Sequence, residues 1–134
     1  MKNEYSFKVA WGDTDAAGIV FYPNFYRWMD QAAHELFSVA GLSMAKLQKE
    51  EHIVLPLLEA FCQFKAPLTY DEQVIVRSEI LEVKQKVVKI SHKFYKQETI
   101  AAEGYEVRAW VSVEETPPRA IVVPEHMKRI LLSN

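Results

Sequence analysis

Apolar and polar residues alternate at the start of the chain. Tyr5, Phe7, Val9 and Trp11 fall on one side and Glu4, Ser6 and Lys8 on the other, a period of two that predicts a strand with one buried face. The run ends in Gly12-Asp13-Thr14-Asp15-Ala16-Ala17-Gly18, a loop of turn-forming residues. After Pro23-Asn24 the period lengthens. Phe25, Trp28, Met29, Ala32, Ala33, Leu36, Phe37 and Ala40 fill successive i, i+3 and i+4 slots without a gap, which predicts a long amphipathic helix. Gly41 is a natural stop for it. A short second helix is predicted from Ser43, its cap, to Glu51.

From Ile53 the period returns to two. Leu58, Ala60, Cys62, Phe64 and Ala66 share one face, then Val74, Val76 and Ile80, then Val88, Ile90, His92 and Phe94. The last strand is predicted to bury Tyr105, Val107, Ala109, Val111 and Val113. Gln97-Glu98 and Glu82 to Gln85 read as hairpin connections, and Gly104 as a bulge. Thr116-Pro117-Pro118 breaks the pattern, and Pro124 opens a C-terminal helix containing Met127, Ile130 and Leu131. Consecutive strands joined by short turns pair antiparallel, so the expected class is α+β with a five-stranded sheet. One helix cannot cover both faces of such a sheet, and burial alone calls for a second copy on the other.

Composition narrows the function classes. The 134 residues predict a single domain spanning 1–134. With 49% hydrophobic and 25% charged residues the chain can build a core without staples. A net charge of −2 leaves no global basic field for nucleic acid or an anionic membrane. No apolar run follows Met1-Lys2-Asn3-Glu4, so no signal peptide is expected, and no stretch is long enough to span a bilayer. The lone Cys62 permits no internal disulfide, and together these features predict a cytoplasmic location.

The candidate chemistry lies in the loop before the long helix. Asp13 and Asp15 are two residues apart, among small residues, with Ile19-Val20-Phe21-Tyr22 behind them. A carboxylate beside apolar walls and a helix N-terminus with free N–H groups is the minimum kit for acyl transfer: a base or nucleophile next to an oxyanion donor. Capping and loop closure are the commoner jobs for Asp-Thr-Asp in such a place. Two other readings fail. Asp-x-Asp phosphatase chemistry needs a larger α/β domain, and a calcium loop would want an oxygen ligand at Ala17 and a Glu at Asn24. His34, His52, His92 and His126 have no metal-ligand spacing, so no metal is expected, and His34 and His92 read as structural or surface residues. Cys62 reads as a small core residue, and Glu59 as a solvated carboxylate on a strand. Lys84, Lys86, Lys89 and Lys93 form a local basic cluster that suits ligand phosphates or a solvated hairpin equally well.

The stretch Trp11-Gly12-Asp13-Thr14-Asp15-Ala16-Ala17-Gly18-Ile19-Val20-Phe21-Tyr22-Pro23-Asn24, continuing to Asp30, resembles the signature of the 4-hydroxybenzoyl-CoA thioesterase family. The similarity continues in Pro56-Leu57-Leu58, Tyr70-Asp71-Glu72 and Arg119-Ala120-Ile121-Val122-Val123-Pro124. It implies a hot-dog fold, a long helix wrapped by a curved five-stranded antiparallel sheet. It also implies a homodimer with a continuous sheet and interfacial active sites, often doubled to a homotetramer. By the resemblance Asp15 is the catalytic carboxylate, as nucleophile or general base. The Tyr22 backbone N–H is the oxyanion donor, Asp13 supports the loop, and Lys84, Lys86 and Arg119 bind the nucleotide of an acyl-CoA or aryl-CoA substrate. No separate cofactor is implied, since coenzyme A belongs to the substrate. Ala16 departs from the Pro that aryl-CoA members often carry, and Phe61 and Gln63 match no single acyl class. Tyr22-Pro23-Asn24 leans toward the aryl-CoA branch. A non-catalytic acyl-CoA-binding or scaffold module is the alternative; a dehydratase would want a His in a motif absent from this loop.

Overall fold

In the computed structural model, which describes residues 1–134, the long helix is α1 (Pro23–Val39). It buries Phe25, Trp28, Met29, Ala32, Ala33, Leu36 and Phe37, the expected stripe, and Ala40 is its half-buried C-cap. A single turn, α2 (Met44–Lys46), runs on into a wider turn at Leu47–Glu51, and Ser43 caps it by accepting the Lys46 N–H. The strands are β1 (Lys2–Lys8), β2 (Ile53–Val54), β3 (Leu57–Phe64), β4 (Gln73–Lys84), β5 (Val87–Lys96), β6 (Thr99–Ala109), β7 (Val111–Ser112) and β8 (Arg119–Ala120), and α3 (Glu125–Leu132) closes the chain. The main sheet is antiparallel throughout, in the order β1-β4-β5-β6-β3. Short β2, β7 and β8 form a second small sheet.

The core lies between α1 and one face of the sheet. Phe25, Trp28, Phe94, Val74 and Val76 fill it near the start of α1. Leu36, Phe37, Trp110, Ile90 and Leu131 fill it near the helix end, where α3 adds Met127. No element of the chain covers the opposite face. There Arg77 lies 4.5 Å from the Tyr95 ring centroid and Lys89 4.5 Å from that of Tyr105, cation–π contacts on a solvent-facing surface.

Several local expectations are corrected. Trp11 is not on the buried face of the first strand; it is 78% exposed in a tight turn, Trp11–Asp13. The reason is Asp13, whose Oδ2 accepts the Ala10 N–H at 2.8 Å and ends the extended run. The connection assigned to Glu82–Gln85 shrinks to Gln85-Lys86, because an extra residue at Leu81 resets the register and β4 continues to Lys84. Gly104 is not a bulge. The β5–β6 irregularity lies between Phe94 and Tyr95, opposite Ala102 and Ile100. Gly104 is instead a site of close approach: a Cβ there would sit 1.9 Å from the Phe61 carbonyl oxygen. On β3 only Cys62 is buried, whereas Leu58 is 62% and Phe64 46% exposed. The strand is an edge, and α1 does not reach over it.

The largest correction concerns β6. Its buried face carries Ala102, Glu106 and Arg108, while Tyr105 and Val107 are half-buried on the other. Both charged side chains are paired, and only Arg108 Nε is left without a partner. Ser78 Oγ and His92 Nδ1 are 2.7 Å apart, and His92 Nε2 lies 2.9 Å from Glu106 Oε1. Arg108 Nη2 donates to Glu106 Oε2 at 2.9 Å and to Asp30 Oδ1 at 2.8 Å, and Nη1 donates to the Leu55 carbonyl at 2.9 Å. His92, read from sequence as structural or surface, is the fully buried middle of this chain.

Gly104→Ala should lower stability by about 3 kcal/mol, since the added methyl meets backbone rather than a movable side chain; urea unfolding checks this. Glu106→Ala should cost about 3–5 kcal/mol, because it strips the buried Arg108 of one counter-charge and leaves His92 Nε2 without a partner. An unchanged unfolding midpoint for Glu106→Ala would show the chain to be solvated.

Candidate active site

The loop joining β1 to α1 is closed by Asp13. Its Oδ1 lies 2.9 Å from Arg27 Nη2 on α1, and its backbone carbonyl accepts both the Phe21 N–H and Asn24 Nδ2 at 2.9 Å. A bridge between Thr14 and Val20 narrows the loop below this clasp. The tip then turns through Gly18, whose φ of +80° is one that L side chains adopt rarely. Val20 N–H donates to the Leu68 carbonyl at 2.8 Å, docking the loop on the β3–β4 connection.

The two carboxylates therefore have different situations. Asp13 holds the loop. Asp15 is exposed at its tip, where Oδ1 accepts the Ala17 N–H at 2.9 Å and Oδ2 has no protein partner. Neither caps α1; Tyr22 stands at that position and contributes no side-chain cap.

Among the amides from Phe21 to Phe25 at the helix entrance, one donor is free. Phe21 N–H donates to Asp13, Asn24 N–H to Phe21 and Phe25 N–H to Tyr22, while Pro23 has no N–H. The Tyr22 N–H has no acceptor. It opens beside an apolar cleft of ≈ 400 Å³ whose walls include Ile19, Tyr22, Phe25, Phe64, Lys65 and Pro67. Phe64 packs edge-on to both Tyr22 and Phe25, with ring centroids 6.4 and 5.0 Å apart. A free N–H beside an apolar wall is suited to a developing oxyanion.

The remaining candidates are not beside this cleft. Lys84 ends β4, Lys86 lies in the turn to β5, and Arg119 begins β8; all three are exposed. They are near one another, since the Gln85 and Lys86 carbonyls accept from Val123 and Trp110, on either side of β8. The Asp15 loop adjoins the opposite end of β4, where Val9 N–H donates to Glu72. Twelve residues of extended chain separate those ends, roughly 35 Å. Lys89 and Lys93 belong to neither place. Lys89 sits over Tyr105 and Lys93 opposite Glu103 on the outer sheet face, so the lysines expected to form one basic cluster are split.

Comparison with known proteins follows the same lines. The family profile described as the thioesterase-like superfamily matches residues 9–131. The chain belongs to this superfamily. A solved gentisyl-coenzyme A thioesterase is 40% identical over 96% of this chain and 98% of its own, with a TM-score of 0.84. A 4-hydroxybenzoyl-CoA thioesterase variant, solved with 4-hydroxybenzoyl-CoA, is 25% identical over 97% of this chain and 98% of its own, with a TM-score of 0.89. The 4-hydroxybenzoyl-CoA thioesterase of Pseudomonas sp. strain CBS-3 is 30% identical over 81 residues, 59% of this chain and 57% of its own length. The fold is the hot-dog fold of these thioesterases, and the protein is a thioester hydrolase.

Sequence reasoning missed Lys65 in the cleft wall and the buried partners of His92. A polar residue in the otherwise apolar set Val88, Ile90, His92, Phe94 was the available signal for the second, because a buried imidazole needs partners.

Cys62, the residue most easily mistaken for a nucleophile, is disarmed by its place. Burial pushes its thiol up from 9.0 to about 11. A raised value means less thiolate at pH 8, so the folded chain should react with iodoacetamide about 100-fold more slowly than the urea-unfolded chain. Equal rates in the two states would place Cys62 in open solvent.

Proposed function

We propose that the protein hydrolyses the coenzyme A thioester of a hydroxylated aromatic acid. The observation that carries this reading is the unpaired Tyr22 N–H at the mouth of an aromatic-walled cleft, seven residues after Asp15, the free carboxylate of the loop. The names of the relatives support the substrate class: gentisyl-, 4-hydroxybenzoyl- and 1,4-dihydroxy-2-naphthoyl-CoA are all thioesters of hydroxylated aromatic acids.

In the proposed reaction the thioester carbonyl oxygen accepts the Tyr22 N–H. Either Asp15 attacks the carbonyl carbon to form a mixed anhydride that water then hydrolyses, or it takes a proton from a water that attacks that carbon; in both, negative charge grows on the oxygen, the C–S bond breaks to release CoA thiolate, and the aromatic acid departs. The fixed N–H needs no reorganisation as that charge appears.

The nucleotide end is proposed to come from a second copy. β3 has a free edge, and Leu57, Leu58, Phe61 and Phe64 on it are about half exposed or more, an edge that invites pairing. Its Phe64 end lies at the cleft and its Leu57 end pairs with Arg108, toward Lys84 and Lys86. Antiparallel pairing of two β3 edges sets the Phe64 end of one copy against the Leu57 end of the other. That brings Lys84, Lys86 and Arg119 of the second copy toward the first copy's Asp15 loop. The proposed enzyme is thus a homodimer at least, or a homotetramer of two dimers, and a cytoplasmic one.

Asp15→Asn should lower kcat on 4-hydroxybenzoyl-CoA and gentisyl-CoA by about 10³-fold or more while leaving the circular dichroism spectrum and thermal midpoint unchanged, because Asp15 makes one local hydrogen bond only. A folded Asp15→Asn variant with wild-type thiol release would overturn the assignment.

A further inference from the structure

Among the residues that wall the cleft, Lys65 alone carries a charge. It follows the last residue of β3 and stands between Phe64 and the Pro67-Leu68 segment on which the Asp15 loop docks. Its ammonium lies 3.0 Å from Glu103 Oε1, with the two side chains 41% and 35% exposed. An ion pair so open to water is worth little and is easily exchanged. Its loss would not strand Glu103 without a counter-charge, because Lys93 stands directly opposite Glu103 in the β5–β6 ladder, and both lysines help hold the Glu103 carboxyl below its usual range.

A second ammonium stands beside the wall. Lys96 Nζ donates to the Pro67 carbonyl at 2.9 Å and lies 3.7 Å from Glu72 Oε2. Lys65 and Lys96 thus stand at one side of an apolar cleft, paired with Glu103 and Glu72, while Lys93 answers Glu103 from the outer sheet face. Apolar walls strengthen the attraction of an ammonium for an incoming anion by lowering the local dielectric. A ligand consisting only of hydrocarbon would gain nothing from this edge.

We infer that Lys65 is an anion-binding residue of this cleft: its ammonium leaves Glu103 and takes an anionic oxygen of the bound thioester while the Tyr22 N–H holds the thioester carbonyl. This inference rests on the thioester-hydrolase reading and adds a substrate requirement to it. A CoA thioester of a hydroxylated aromatic acid offers two sources of such an oxygen, a phosphate of the nucleotide and an ionised ring substituent. Both present the same chemistry to Lys65.

The test compares the wild type with Lys65→Met, which keeps the aliphatic wall and removes the charge, and Lys65→Arg, which restores it. Steady-state thiol release is measured on 4-hydroxybenzoyl-CoA, on the 4-hydroxybenzoyl thioester of pantetheine, which lacks the nucleotide, and on benzoyl-CoA, which lacks the ring oxygen. Lys65→Met should raise KM for 4-hydroxybenzoyl-CoA about tenfold, the loss of one charge-assisted hydrogen bond, with kcat within twofold, and Lys65→Arg should recover most of it. If the effect vanishes on the pantetheine thioester, the anion is a nucleotide phosphate. If it persists there and vanishes on benzoyl-CoA, the anion is the ring oxygen. Equal KM values for wild type and Lys65→Met on all three substrates overturn the inference. Calorimetric binding of the hydrolysis-resistant thioether 4-hydroxyphenacyl-CoA separates it from the function on which it rests. Wild-type binding that Lys65→Met weakens, without turnover of any thioester, would refute the hydrolase reading and keep Lys65; equal binding by both proteins would refute Lys65.

Discussion

A buried guanidinium sets the terms for the rest of this structure. Arg108 cannot shed its proton, so its place under α1 requires counter-charge and acceptors from every side. It finds them on three separate elements: Glu106 two residues away on β6, Asp30 on α1, and the Leu55 carbonyl in the β2–β3 connection. Glu106 is held in turn by His92 on β5, and His92 contacts Ser78 on β4. One chain of hydrogen bonds therefore crosses three adjacent strands and ends on the helix. Its value is geometric more than energetic, since a well-packed apolar replacement of a buried ion pair is often no less stable. A one-residue slip of β6 would turn both charges to the outer face and undo every contact. The same contacts fix the rotation of α1 through Asp30, two helical turns after Pro23.

That rotation decides how the helix begins. Because α1 is pinned at Asp30 and packed through Phe25, Trp28 and Met29, its first turn can only meet the loop at one angle. Arg27 then reaches Asp13, and Asn24 reaches the Asp13 carbonyl. Asp13 takes on the loop's structural duties, and Asp15 is relieved of them. Asp-Thr-Asp performs the ordinary task of such a motif with its first carboxylate and leaves the second open to solvent. Pro23 adds a further constraint: lacking an N–H, it makes Tyr22 the last residue before the helix with an amide to offer.

How far these features could be read from the amino-acid order depends on the range of the forces behind them. The stripe from Phe25 to Phe37 was legible because a helix face depends on local period alone. The Asp15 loop was legible through a long contiguous motif and an accounting of N–H groups that needs only the position of a proline. β6 was misread for the opposite reason. Tyr105, Val107 and Ala109 make a better apolar face than Glu106 and Arg108, and the inward turn of the charges depends on Asp30, seventy-eight residues away, and on His92 on the neighbouring strand. β3 was read as buried because its composition is that of a core strand; within a single chain it is an edge. Lys65 was not singled out at all, since nothing in its neighbours says that the chain behind it folds back to form a cleft.

The misreading of β3 and the separation of the candidate residues have one physical source. A strand with core composition at an uncovered edge is what a continuous sheet looks like when cut in half. The distance between the Asp15 loop and the Lys84, Lys86 and Arg119 group is set by the length of β4, which no local rearrangement shortens. The proposed antiparallel pairing of β3 with its own copy would resolve both, covering the apolar edge and exchanging far ends for near ones. In such an arrangement each cleft would have Lys65 of its own chain in its wall and Lys96 beside it, and would be approached by a second basic group from the other side. A polyanionic substrate would then be gripped at two places with the thioester between them, and a chain with a net charge of −2 would achieve this by placement, without a global positive field.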